Sequence, residues 1–187
     1  MKSIKKCKNK CIFCFVDQLP RNLRATLYIK DDDYIESYTN GNFITLTNLK
    51  DKDIENIIKF RIEPLHVSIH SFDKNIRNII FGNKNNYNAI KNFNILDNNS
   101  IRTNIQIVLC PKINDGKDLE NTLKILINDY KNIISIGIVP VGITKFNKNC
   151  LIKPFDFKKS RVLINQIETF KKINTLNKKS KRIFLSD

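Results

Sequence analysis

Five short runs along the chain are rich in β-branched and apolar residues: "NFITLT" (42–47), "PLHVSIHS" (64–71), "TNIQIVLC" (103–110), "ISIGIVPVG" (134–142) and "RIFLS" (182–186). Each is bounded by turn-forming residues, as strands are. Between them the apolar spacing becomes helical. Ile54, Ile57, Ile58 and Ile62 recur after "DKD". Ile76, Ile79 and Ile80 share a face behind Asp73, whose carboxylate can accept the orphan N–H groups of a first turn. "FGNKNNYNAI" (81–90) reads as a loop opening a helix. Leu119, Leu123, Leu126, Ile127 and Tyr130 line another helix, and Pro154 and Asp156 open a last one with Leu163, Ile167 and Phe170 inward.

Strands alternating with helices predict an α/β fold with a parallel sheet. "IGIVPV" is apolar on both faces, which suits a sheet covered by helices. In such folds ligands bind at the C-terminal ends of the strands. If "KSIKK" (2–6) is a short first strand, the loop behind it lies on that face. Five clear strands and one doubtful one predict a curved sheet or partial barrel. The reading is of one domain over residues 1–187, opening almost inside its first strand and stopping after "FLSD", as a fragment of a longer protein would.

Composition narrows the classes. The 187 residues are 41% hydrophobic and 27% charged, which is a globular balance. No run reaches the length of a membrane span, and no apolar segment follows the basic N-terminus. A cytoplasmic chain without a membrane partner is expected. The formal net charge of +15 admits two readings. One is a nucleic-acid partner, RNA above all. The other is AT-rich codon bias, because 26 Asn and 31 Ile accompany the lysines. The lysines are scattered, with only "KKCKNK" (5–10) and "NKKSKR" (177–182) as clusters, which favours bias.

Three of the five cysteines fall within eight residues, "CKNKCIFC" (7–14). In a reducing compartment such a cluster reads as metal binding or catalysis. A structural zinc site wants four ligands. His66, His70, Cys110 and Cys150 all lie elsewhere in the sequence. Three thiolates can instead hold three irons of a [4Fe–4S] cube and leave the fourth iron open. A fortuitous cluster, or a zinc set completed by another chain, is the alternative.

C-x3-C-x-aromatic-C behind a first strand and before βα repeats resembles the radical S-adenosylmethionine (SAM) enzymes. Cys7, Cys11 and Cys14 match their three cluster ligands and Phe13 their aromatic position. The resemblance implies a partial (β/α)6 barrel with SAM chelated at the open iron through its amino and carboxylate groups. It implies reductive cleavage of SAM to methionine and a 5′-deoxyadenosyl radical, which abstracts a hydrogen atom from a substrate. The electron would come from a donor such as flavodoxin or ferredoxin. "CIFCFVDQLP", "TLYIKDDDYIESYTNGNFITLTNL", "QIVLCPKINDG", "VPVGITK" and "FLSD" are similar to one bacterial subfamily over essentially the whole chain. Its members carry a PDZ-like domain before the core and a domain of unknown function after it. The resemblance names no substrate.

The same resemblance points to SAM contacts. The family often binds the SAM amino group with Gly-Gly-Glu at the end of strand two. This chain has "TLTN" there, so Thr45, Thr47 and Asn48, or backbone carbonyls in their place, are the candidates. Period two puts His66, Ser68 and His70 on one face, near SAM or substrate if it is the inner face, as core histidines otherwise. Asn104 and Gln106 share a face and would meet SAM's ribose or carboxylate, or bond within the barrel. Val141 and Gly142 stand where the family's backbone approaches adenine. Cys110 is either a catalytic or auxiliary thiol or a small hydrophobe. Cys150 carries no assignment. Asp17 would brace the cysteine loop through backbone N–H groups, and "KDDDY" (30–34) reads as a solvated turn. The competing functions are a non-catalytic Fe–S or zinc module that binds RNA and a truncated, inactive homologue.

Overall fold

Four of the five apolar runs form one parallel sheet in the computed structural model, which describes residues 4–147 and 151–186. Its strands are β1 (Leu65–Ser68), β2 (Thr103–Leu109), β3 (Ile133–Pro140) and β4 (Ile183–Leu185), neighbours in chain order. Parallel neighbours need crossovers. Helices α3 (Lys74–Phe81) and α4 (Asn88–Asn98) cross from β1 to β2, α5 (Lys117–Asp129) from β2 to β3, and α6 (Phe157–Ile173) from β3 to β4. Two more helices, α1 (Tyr34–Asn40) and α2 (Asp51–Lys59), precede the sheet.

One face of the sheet builds the core. Ile105, Ile107 and Leu109 of β2 and Ile136 and Ile138 of β3 share a buried cluster with Phe93, Leu123, Leu126, Ile167 and Phe170 from the helices. Burying each such side chain contributes about 1.5–3 kcal/mol. The other face is only half-buried: His66, Asn104, Gln106, Ser135, Gly137 and Val139. The sheet curves without closing, so "IGIVPV" is not covered on both sides.

Two expected strands are not continuous. In 42–47 only Ile44 bridges β1, through Ile44 N–H to the His66 carbonyl (2.9 Å) and Ser68 N–H to the Ile44 carbonyl (2.8 Å). Leu46, at φ 59°, ends the extended backbone. Lys6 bridges antiparallel to Asp31, with Asp32 N–H on the Lys5 carbonyl and Cys7 N–H on the Lys30 carbonyl, so this segment pairs with 30–32 rather than opening a parallel sheet. Residues 2 and 3, like Cys150, lie outside the described residues.

α3 also differs from expectation. Asp73 caps it as its sequence predicts, accepting from Asn75 and Ile76 N–H at 2.8 and 2.9 Å. Ile79, however, is half exposed, and Arg77 takes the inner face with Ile80 and Phe81. "KDDDY" is not a solvated turn. Asp31 accepts from Asn42 (2.8 Å), Asp32 is buried, and Asp33 caps α1 through Ile35 N–H (2.9 Å). No helix among the described residues is long and apolar enough to cross a membrane.

Candidate active site

The last carbonyls of any α-helix lack partners within it. In α3 two of them are supplied by the cysteine loop: Lys10 N–H donates to the Phe81 carbonyl (2.8 Å) and Ile12 N–H to the Ile80 carbonyl (3.0 Å). Gly82 then turns the chain away at φ 55°. A Cβ on Gly82 would stand 2.7 Å from the Lys10 carbonyl oxygen, so only glycine lets the loop lie there. Cys7 N–H donates to the Lys30 carbonyl (2.8 Å) and anchors the loop's other end.

The loop sits at the C-terminal ends of the strands. Ile12 packs in an apolar cluster with Ile80, Phe81, Cys110 and Val141. Phe13 lies edge-on to His70, with ring centroids 5.0 Å apart, and His70 meets Phe81 at 5.2 Å. Above this floor Cys7, Cys11 and Cys14 stand half-buried as free thiols. Burial, followed by the charge of Asp32, pushes Cys7 up to about 11. Cys11 is driven higher by burial and by its two neighbouring cysteines. The three thiols are therefore within electrostatic reach of one another, and ionising them together calls for positive charge. Among the described residues no three His, Cys, Asp or Glu side chains converge as a single ion requires.

A cleft of about 260 Å³ opens beside Cys11 and Cys14, bounded by Lys10, Asp17, Gln18 and Asn147. A larger one, about 360 Å³, lies between Gly116 and the start of α6. It borders no cysteine.

Several candidate residues are engaged within the protein. Asn9 Nδ2 donates to Thr45 Oγ1 and Thr47 Oγ1, both at 3.0 Å. Asp32 accepts from Thr45 N–H (2.6 Å) and Thr45 Oγ1 (2.8 Å). Burial outweighs those bonds and raises the Asp32 carboxyl to about 6. Asn48 Nδ2 reaches the carbonyls of Lys6 (3.2 Å) and Asp32 (3.3 Å). The "TLTN" side chains thus brace the cysteine loop from behind.

On the half-buried face, His66, Asn104 and Ser135 form one hydrogen-bonded row. Ser135 Oγ donates to Asn104 Oδ1 (2.6 Å), and Asn104 Nδ2 lies 3.2 Å from His66 Nε2. One layer nearer the loop, Ser68, Gln106 and Gly137 are in register. Asn104 therefore bonds within the barrel, while Gln106 stands closer to the cysteines. His70 does not continue the alternation, because its φ of 62° ends β1. Its Nδ1 accepts Val108 N–H (3.0 Å), which leaves the proton of the neutral ring on Nε2. Burial, and secondarily Arg77, pull the imidazole down to about 3.

Val141 is buried under Ile12 and donates its N–H to the Leu109 carbonyl (2.9 Å). A Cβ on Gly142 would meet nothing within 4 Å, so no part of the protein itself demands glycine there. Cys110 is fully buried, and burial with the charge of Asp115 pushes its thiol up to about 12. A thiol so placed packs as a small hydrophobe does.

Three residues escaped the sequence reading. Gln18 joins the cysteine loop to the segment after β3: Nε2 donates to the Phe13 carbonyl (3.1 Å), and Oε1 accepts Thr144 N–H (3.0 Å). Its only signal was its place beside Asp17, as one of two polar residues in the apolar run "FVDQL". Lys30 pairs with Asp17 at 2.5 Å beside Cys14. Burial alone would lower the Lys30 ammonium; Asp17 and Cys14 outweigh it and hold it above its usual value. Asp17 thus braces the loop through Lys30 rather than through backbone N–H groups. The third is Arg77, whose position on α3 reads as a surface helix cation.

The profile of one domain family, described as the radical SAM-like domain, matches residues 1–136. No curated protein matches the chain in sequence. Among solved structures, Streptococcus suis SuiB bound to S-adenosylmethionine aligns over 98% of this chain and 49% of its own, with 13% identity and a TM-score of 0.68. A domain of pyruvate-formate lyase-activating enzyme from Bacteroides vulgatus ATCC 8482 aligns over 78% of this chain and 80% of its own (13% identity, TM-score 0.53). A radical SAM methyltransferase from Sphaerobacter thermophilus aligns over 71% of this chain and 37% of its own (15% identity, TM-score 0.50). At these identities the likeness is one of fold, that of a partial barrel. The chain spans about half the length of SuiB and less of the methyltransferase.

Proposed function

Because the chain belongs to the radical SAM-like domain family, we propose that it is the core of a radical SAM enzyme, with Cys7, Cys11 and Cys14 holding a [4Fe–4S] cluster. The observation that carries this reading is the cysteine loop itself. Three half-buried thiols within electrostatic reach are pinned at the C-terminal ends of a parallel sheet. They do not converge on one ion. Three thiolates can hold three irons of a [4Fe–4S] cube, whereas a structural zinc wants four ligands. The unfilled fourth position leaves an iron for SAM.

When bound and reduced, the cluster supplies the electron that cleaves SAM to methionine and a 5′-deoxyadenosyl radical for hydrogen abstraction. The chain's own residues bind and orient. Phe13, edge-on to His70, steadies the loop between the second and third cysteines. His70 offers an Nε2–H donor that stays neutral through the physiological range. Ser68 and Gln106, in register on β1 and β2, would be candidate partners for SAM's polar groups. Asp32, bonded to Thr45, would be a candidate acceptor for the SAM amino group. The open approach to Gly142 suits an adenine edge. A small one-electron carrier, flavodoxin or ferredoxin, would deliver the electron. The substrate is a further group on the open face.

Anaerobic reconstitution tests the reading. About four irons per chain are expected, with 5′-deoxyadenosine formed from SAM and dithionite. A protein that takes up one zinc and no iron would overturn it, as would a Cys7/Cys11/Cys14 triple alanine variant that keeps an iron–sulfur chromophore.

A further inference from the structure

Arg77 is the bulkiest fully buried side chain among the described residues. Its guanidinium donates to four neutral oxygens: the carbonyls of Ile69 (2.6 Å), Ser71 (2.9 Å) and Asn86 (3.1 Å), and Asn86 Oδ1 (3.1 Å). The ring of Phe81 lies 4.7 Å from the guanidinium carbon. Among the described residues no carboxylate pairs with it; the ionisable groups whose charge it feels are Tyr87, Tyr130 and Cys11. Burying a lone cation costs several kcal/mol unless negative charge compensates it. No neutral side chain carries four such donors, so the clamp accounts for the shape of arginine; what it leaves unanswered is what compensates the charge.

The compensating charge has one evident source. Arg77 sits a turn before Ile80 and Phe81, whose carbonyls hold Lys10 and Ile12 of the cysteine loop. It stands on the protein side of that loop, away from solvent. Lys30, the other cation beside the cysteines, lies on the outer side, partly in water and paired with Asp17. Its field is screened, whereas that of Arg77 acts through the low-dielectric interior.

We infer that Arg77 is the buried countercharge of the cysteine site and raises the reduction potential of the cluster held there; this rests on the functional reading above. Reduction adds one electron and hence one negative charge. A fixed cation in apolar surroundings stabilises the reduced form more than the oxidised one. The role is one of positioning and electrostatics, since Arg77 touches neither thiol nor substrate.

The test is a dithionite titration of the full, anaerobically reconstituted chain, followed by electron paramagnetic resonance. Arg77→Gln removes the charge. Asn86→Asp keeps the arginine but neutralises it with a carboxylate where Asn86 Oδ1 now accepts. Arg77→Lys keeps the charge and loses the clamp. Arg77→Gln and Asn86→Asp should both lower the midpoint potential; Arg77→Lys should lower the melting temperature while leaving the midpoint near wild type. If Arg77→Gln does not fold, Asn86→Asp carries the test. An unmoved midpoint in either charge-cancelling variant that loads its cluster overturns the inference, as does an Arg77→Lys midpoint that falls as far as that of Arg77→Gln. A wild-type chain that binds no iron would overturn the functional reading and this inference with it; a loaded wild type with unmoved variants overturns the inference alone.

Discussion

Lys10 and Gly82 meet backbone to backbone: a Cβ on Gly82 would stand 2.7 Å from the Lys10 carbonyl oxygen. The contact lets the carbonyls of α3 hold the cysteine loop. Gly82→Ala introduces both the overlap and a left-handed non-glycine residue at φ 55°. A loss of about 1–3 kcal/mol in denaturant stability is expected. Iron uptake on reconstitution should fall with it. Wild-type iron content and stability together would contradict the anchoring role.

Gln18 ties the loop to the segment after β3. Gln18→Ala leaves the Phe13 carbonyl and Thr144 N–H without their side-chain partner. Unpaired buried groups cost about 1–3 kcal/mol. Amide exchange over residues 141–147 should accelerate, and SAM should bind more weakly to the reconstituted variant. Unchanged exchange in that segment would show that the two are not coupled through Gln18.

His70 gives acid sensitivity a definite sign. Its folded value of about 3 lies below the ordinary 6.5. The stability it contributes is complete above pH 6.5 and is lost as pH falls towards 3, because the unfolded chain binds the proton first. Asp32, raised to about 6, works oppositely, favouring the fold at low pH and losing that contribution as pH rises through 6. Comparing His70→Asn with wild type cancels the Asp32 effect. Asparagine tolerates the positive φ, and the variant should lose stability less steeply between pH 6.5 and 3 in urea titrations. Parallel curves would mean that His70 titrates normally.

Cys110 supplies packing rather than chemistry. Cys110→Ala should form 5′-deoxyadenosine at a rate within about twofold of wild type, with a stability loss of about 1–2 kcal/mol from the small void. A rate reduced by orders of magnitude in a variant with full iron content would restore the thiol to the mechanism.

Much of the helical layer was legible from spacing. The inward residues of α5 and α6 follow their pattern, because long amphipathic helices repeat one face several times. The short α3 was misread at one position, and Arg77 replaced Ile79. A helix of two turns has too few repeats to fix its phase, and no sequence rule buries an arginine without an acid. The strand expected at 42–47 and the described residues 4–6 depart from the reading for a different reason. Their pairing is decided by distant partners, Asp32 holding Thr45 and Lys6 meeting Asp31. The cysteine triplet was legible because its spacing is local. Its support from Asn9, Gln18 and α3 was not, since those contacts span many residues.

The cysteine loop is hung mostly by main-chain groups: the N–H groups of Cys7, Lys10 and Ile12 on the carbonyls of Lys30, Phe81 and Ile80. A mould of that kind reads length and ignores lettering. Exchanging Lys8 or Lys10 for other residues leaves every peg in its hole, whereas one residue inserted between Cys7 and Cys11 shifts each peg past its own. Evolution can repaint Lys8 and Lys10, but it cannot lengthen the segment.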